Sequence, residues 1–306
     1  MASLESVSYK KIRCRKKPAA SDIVFNVFIY GIFIIFAIVI IYPIINMLAY
    51  SFSYGADSLK GRIYIFPRVW SLETYKDVLF ERKGLRYGAV TTISRTVIGT
   101  AAGVFANALL AYIISRKNSI FKHALSLFWI ITIYAQGGLI TTLLLYWKMG
   151  LKDTFWVYVI PGLVSGIYLL VMRTYMKSIP DSLEESAKLE GAGFMRIFWS
   201  IISPICKPVY AAIAVFIATT HWNSWFDAMI YNRFNPEYTT LQYELMKIIT
   251  YVSGGVITEN SPRPYPVSVI TLRAAVSVLT MLPILIIYPF FQKYYVAGLT
   301  IRGIKD

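Results

Sequence analysis

From Ile23 to Tyr50 the chain reads IVFNVFIYGIFIIFAIVIIYPIINMLAY, without one charged side chain. A helix needs about 20 mostly apolar residues to cross the roughly 30 Å of hydrocarbon in a bilayer. Inside that layer only helices and closed barrels satisfy their own backbone. Runs of similar character follow at about 87–115, 120–146, 154–176, 209–231 and 268–291. Hydrophobic residues make up 57% of the chain and charged residues 15%, more apolar sequence than a soluble core needs. The expectation is an all-α integral membrane protein with six transmembrane helices and a single domain, 1–306, without internal repeats. Gly99, Ala101, Ala102, Gly103 and Ala106 in the second run are small residues that let helices approach closely in lipid.

The formal net charge of +15 suggests nucleic acid at first sight. The placement of the charge argues against it: KKIRCRKK, Lys10 to Lys17, directly precedes the first apolar run and belongs to no folded soluble domain. Basic residues there hold a terminus in the cytoplasm, and some of them meet anionic lipid. The resulting topology is multi-pass in the cell membrane, with a cytoplasmic basic segment 1–22 and both termini cytoplasmic. The outer segments keep a slight positive bias, which fits an anionic solute or an acidic partner surface equally well. Cys14 and Cys206 have no spacing that supports a disulfide or a metal site. The first run is too long for a cleavable signal peptide, and no small-x-small site follows it.

One polar island interrupts this pattern. SIPDSLEESAKLEGAG, 178–193, holds Asp181, Glu184, Glu185 and Glu190, four of sixteen acids. Pro180 stops what precedes it, and Ser182 with Glu185 has the spacing of a capping box. Leu183, Ala187 and Glu190 fall near one face, and Gly191 and Gly193 are placed to end the helix. FMRIFWSIISP then returns to the apolar region, which makes 178–207 a short cytoplasmic hairpin. On its residues alone, the island reads as a solvated, well-capped connection or as a rigid protrusion.

The spacing separates these readings. Glu185-Ser186-Ala187, three residues, Gly191, nine residues, Ile201, one residue, Ser203, Pro204 resembles the E-A-A-x3-G-x9-I-x-L-P signature of the permease subunits of ATP-binding-cassette (ABC) importers. Ser186 and Ser203 are mild departures. The stretch from Gly137 to Ala192 resembles the carbohydrate-uptake group, specifically the second permease subunit of oligosaccharide importers of the maltose and multiple-sugar type. HWNSWFDA (221–228) and LPILIIYPFFQKYYVAGLTIRGIKD (282–306) are similar to that group's W-N-x-[FW] stretch and its ending. Thr141 stands where many relatives carry proline, and Arg302 where glycine is usual.

The resemblance implies a type I ABC importer permease fold and a non-catalytic subunit. Its implied partners are a second related permease, two ABC ATPase subunits, an extracytoplasmic sugar-binding protein, membrane lipid and an oligosaccharide substrate. ATP and magnesium would sit on the ATPases, with no cofactor on this chain. The hairpin would be the coupling helix, with Ser182, Glu184, Glu185, Ala187, Gly191 and Pro204 as the ATPase-coupling residues. The residues agree that nucleotide binds elsewhere: no G-x-x-x-x-G-K-[ST] occurs, and GAG at 191–193 is too weak to cradle phosphate. His123 and His221 lie far apart without a nucleophile or metal partner, so no catalytic or metal residue is assigned.

For the substrate path, His221, Trp222, Asn223, Trp225 and Asp227 combine aromatic faces with hydrogen-bonding groups, the chemistry that holds a sugar. Helix packing and interfacial aromatics explain them equally well. Asn223 and Asp227 are expected one turn apart on one helical face, so their double alanine variant should transport poorly but assemble. Arg95 and Arg273 are read as snorkelling near the outer helix ends. Two other readings stay open: an ABC permease for a non-sugar solute, and a six-span channel, which would need a filter segment.

Overall fold

The computed structural model describes residues 20–116, 122–135, 137–253 and 267–300. The basic arm with Cys14, the prolines at 262, 264 and 266, and the tail with Arg302 lie outside the described residues.

Among the described residues the fold is helical, with one isolated bridge between Ser53 and Trp70. The first half comprises α1 (Ala20–Ser51), α2 (Gly55–Leu59), α3 (Glu73–Lys76), α4 (Lys83–Ser115), α5 (Lys122–Tyr134), α6 (Leu139–Lys148) and α7 (Gly166–Lys177). The second half comprises α8 (Ser182–Leu189), α9 (Phe194–Ile197), α10 (Ser203–Ile205), α11 (Lys207–Asn223), α12 (Phe226–Tyr231), α13 (Leu241–Ser253) and α14 (Val269–Thr300).

Three helices, α1, α4 and α14, are long and apolar enough to cross a bilayer unaided. Two bent pairs raise the number to five if each pair is counted as one span. The six apolar runs therefore do not become six continuous helices, and the reasons are local. The run expected at 154–176 holds a single 3-10 turn, Phe155–Tyr158, and then α7 of 12 residues. Twelve residues rise only about 18 Å. Pro161 and Gly162 interrupt the helix between them, since proline supplies no amide and restricts the residue before it. The run at 120–146 divides at Gly138, whose φ of 75° ends helical geometry. The run at 209–231 divides at Ser224, which is extended at ψ 129°.

α4 is the centre of the bundle, in contact with α5, α7, α11 and α13. Its small residues permit that. A Cβ on Gly99 would stand 2.4 Å from His221 Nε2, and one on Gly103 would stand 3.3 Å from Ile217 Cδ1. The irregular stretch before α7 is held by the same helix. Asn107, fully buried in α4, donates to the Leu163 carbonyl at 2.9 Å and accepts from the Ser165 amide at 3.1 Å. Backbone without helical bonds is tolerated at membrane depth only where protein satisfies it in this way.

Gly166 opens α7 against α5, and there a Cβ would lie 2.6 Å from Ile133 Cγ1 and 2.9 Å from the Trp129 carbonyl oxygen. Gly166→Val is therefore expected to lose about 1–3 kcal/mol of stability through overpacking. Gly162→Ala, with open space around its Cβ, serves as the comparison. Thermal unfolding in detergent checks both, and equal midpoints would show that α5 and α7 do not pack this closely.

Segment 51–82 folds over the start of α14 through buried hydroxyls. Ser58 Oγ and Ser268 Oγ lie 2.6 Å apart, and Thr74 donates to Thr271 at 3.2 Å. α1 differs from the other long helices: Ile23 to Tyr42 are largely exposed, and its C-terminal third packs on α14. Asn46 anchors that third by donating to the carbonyls of Ile63 and Tyr64, at 2.7 and 2.9 Å.

Candidate functional site

The polar island folds as α8, but it starts differently from the expectation. Asp181, not Ser182, occupies the N-cap, with helical dihedrals (φ −62°, ψ −26°) and no side-chain cap bond. Its carbonyl accepts the amides of Glu184 and Glu185, each at 3.0 Å. With the turn beginning one residue earlier, Ser182 lies inside the helix, and the Ser182–Glu185 capping box does not form. The C-terminus follows expectation at Gly191, where φ is 79°. Ala192 N donates to Ala187 O at 2.9 Å and Gly191 N to Lys188 O at 3.0 Å, the paired bonds of a Schellman ending. Gly193 plays no part in that ending and instead caps the N-terminus of α9.

The buried residues of α8 are Glu184 and Ala187; Leu183 and Glu190, which share a face with Ala187 along the sequence, are exposed. Ala187 joins an apolar cluster with Tyr112, Met176, Ile197, Phe198 and Ile202. Glu184 receives Arg116 Nη1 at 3.1 Å and Lys188 Nζ at 2.9 Å. Ser182, Glu185, Ser186 and Leu189 face outward, and Leu189 is 91% exposed. The return arm, α9, a π turn at Phe198–Ile202 and α10 with Pro204 in its first turn, bends by 81° into α11. Its Ile197, Phe198 and Ile202 pack against Ala108, Tyr112 and Met176 of α4 and α7.

A second polar cluster lies within the bundle, between α4 and the α11–α12 break. Arg95 is 2% exposed and grips Asp227 with both terminal nitrogens, at 2.5 and 3.3 Å. Its guanidinium stacks on the Tyr158 ring at 4.4 Å. His221 sits one turn away, over Gly99. Among the described residues no group of three or more His, Cys, Asp or Glu is placed to hold a metal.

The polygalacturonan/rhamnogalacturonan transport system permease protein YtcP of Bacillus subtilis is 31% identical to this chain over 284 residues, covering 92% of the chain and 98% of that protein. This chain belongs to the sugar ABC transporter permeases. The galactooligosaccharides transport system permease protein GanQ of the same organism is 29% identical over 286 residues, covering 91% and 95% of the two chains. A solved bacterial ABC transporter involved in the import of the acidic polysaccharide alginate superposes with a TM-score of 0.82. That match is 28% identical and covers 92% of this chain and 99% of the other. No family model matches the chain.

The structure of the permease separates the five residues assigned to the substrate path. Asp227 and His221 gather around Arg95. Trp222 turns to α14 and donates its indole N–H to Thr280 O at 2.8 Å. Asn223 accepts from Gln242 of α13 at 3.4 Å, and Trp225 packs among Tyr158, Ala228 and Tyr243. Asn223 and Asp227 do not share a helical face, because the chain is extended at Ser224 between them. Arg95 does not snorkel, since its pairing with Asp227 draws it into the bundle; Arg273 lies on an exposed face of α14. Arg116 carries no motif, and sequence reasoning passes over it, because a basic residue ending an apolar run reads as a topology signal.

Proposed function

We propose that this permease forms half of the path for an oligosaccharide and couples ATP hydrolysis on partner subunits to alternating access. A second related permease completes the path, and an extracytoplasmic binding protein delivers the sugar. The hairpin and both termini face the cytoplasm. The observation that carries this reading is α8 itself, a short helix held from behind by Glu184 and Ala187 that presents Glu185 and Leu189 one turn apart on its free face. An almost fully exposed leucine beside a carboxylate suits a partner with an apolar pocket rimmed by basic groups. The expected role of Glu184 changes, because its carboxylate is occupied inside the permease. Because the solved alginate transporter imports an acidic polysaccharide, an acidic oligosaccharide belongs in the first substrate panel beside neutral ones.

The test is reconstitution with the partner permease, ATPase subunits and binding protein. Glu185→Lys and Leu189→Asp should each cost about 2 kcal/mol or more of docking energy, a loss of roughly 30-fold in ATPase affinity. Sugar-stimulated ATP hydrolysis should fall with it. Wild-type capture of the ATPase by both variants would sink the docking face, and uptake that persists without any ATPase would favour a channel.

A further inference from the structure

We propose that Arg116 is the positioning residue through which movement of α8 reaches the membrane bundle. The inference rests on α8 being the ATPase contact.

Three helix ends meet at this one guanidinium. Arg116 is the C-cap of α4, and its Nη2 donates to Met176 O near the end of α7 at 3.4 Å. Its Nη1 pairs with Glu184, in the first turn of α8, at 3.1 Å. A cation at two helix C-termini and an acid at a helix N-terminus each sit where the helix dipoles favour them. The guanidinium also stacks over the Tyr112 ring of α4, 4.9 Å from its centre. The side chains of Arg116 and Glu184 are only 10% and 9% exposed, so water screens this pair little.

Among the described residues, α8 is held to the bundle chiefly at Glu184, whose carboxylate also interacts with the Tyr112 hydroxyl of α4. Of its residues only Glu184 and Ala187 are buried, and no broad helix–helix interface ties it to the bundle. Ala187 contributes one methyl group to an apolar cluster, a contact that can slide. The Lys188–Glu184 pair lies within α8, with the lysine 51% exposed, so it stiffens the helix without attaching it. Asp181 stands 3.9 Å from Arg116 and is 42% exposed, a weaker second grip. The charged link that joins α8 to both α4 and α7 is therefore the Glu184–Arg116 pair. Labour divides along the sequence: Glu185 faces the partner, and its neighbour Glu184 faces the bundle.

The experiment uses the full reconstituted importer and reads two quantities, ATPase co-purification and sugar transported per ATP hydrolysed. Arg116→Met and Glu184→Gln should keep co-purification while transport per ATP falls about tenfold, within the ordinary range of coupling between sites. Arg116→Lys keeps the charge but loses the fork, and should recover part of the ratio. A wild-type ratio in both Arg116→Met and Glu184→Gln overturns the proposal, as does loss of ATPase capture in Glu184→Gln, which would make Glu184 a docking residue. If Arg116→Met fails to accumulate, Glu184→Gln decides alone. A wild-type permease that captures no ATPase would instead overturn the function on which the inference rests.

Discussion

Asp227→Ala is expected to remove most of the folded permease from the membrane, not merely to slow it. Arg95 is buried to 2% exposure, and Asp227 is its charged partner. Removing one member of such a pair costs about 3–5 kcal/mol, because a desolvated charge is left behind. Whole domains are stable by only about 5–15 kcal/mol. The Tyr158 ring under the guanidinium softens the loss without replacing the carboxylate. Replacing both, as Arg95→Met with Asp227→Leu, leaves no stranded charge and should restore abundance well above that of Asp227→Ala. Fluorescence-detected size exclusion of the single and double variants measures this directly. Normal abundance of Asp227→Ala would take away the structural role of the pair and return Asp227 to the sugar path. On the same geometry, alanine at both Asn223 and Asp227 is expected to reduce assembly as well as transport.

Asn107→Leu is the second substitution with a large expected effect. Leucine nearly matches asparagine in size but offers neither the donor used by Leu163 O nor the acceptor used by Ser165 N. A stranded buried polar group costs about 1–3 kcal/mol, so losing both bonds should cost about 2–6 kcal/mol on the same scale. The damage should concentrate in 161–165, where among the described residues a single long turn bond, Leu163 N to Ile160 O at 3.4 Å, is all the backbone has to fall back on. Limited proteolysis with mass spectrometry should find new cleavage there, together with a lowered melting temperature. An unchanged digestion pattern would mean that water or another group satisfies this backbone.

The long helices are legible in the sequence because hydropathy over some twenty residues is a local property, and α1, α4 and α14 are uniform over that length. The breaks are lost when hydropathy is averaged over that length: Pro161–Gly162 and Ser224 each occupy one or two positions inside runs whose mean stays apolar. The end of α8 can be read from Gly191, since few residues other than glycine accept its positive φ. Its start cannot, because whether Asp181 or Ser182 caps the helix depends on the dihedrals of Asp181. The spacing from Glu185 to Pro204 and the final proline–aromatic run carry the likeness to the sugar permeases by themselves, because each is contiguous along the chain. The partnership of Arg95 with Asp227 spans 132 positions, and that of Arg116 with Glu184 joins two separate helices. Neither leaves a periodic or local trace in one sequence.

The Arg95–Asp227 pair has an electrical consequence. A lone arginine shifted across the full membrane field exchanges about 2.3 kcal/mol per 100 mV. Arginine and aspartate held together sum to zero charge, so a segment carrying both moves through that field without electrical work. While the pair holds, joint translation of Arg95 and Asp227 along the field adds no net charge movement, so the pair itself contributes no voltage dependence to such a shift.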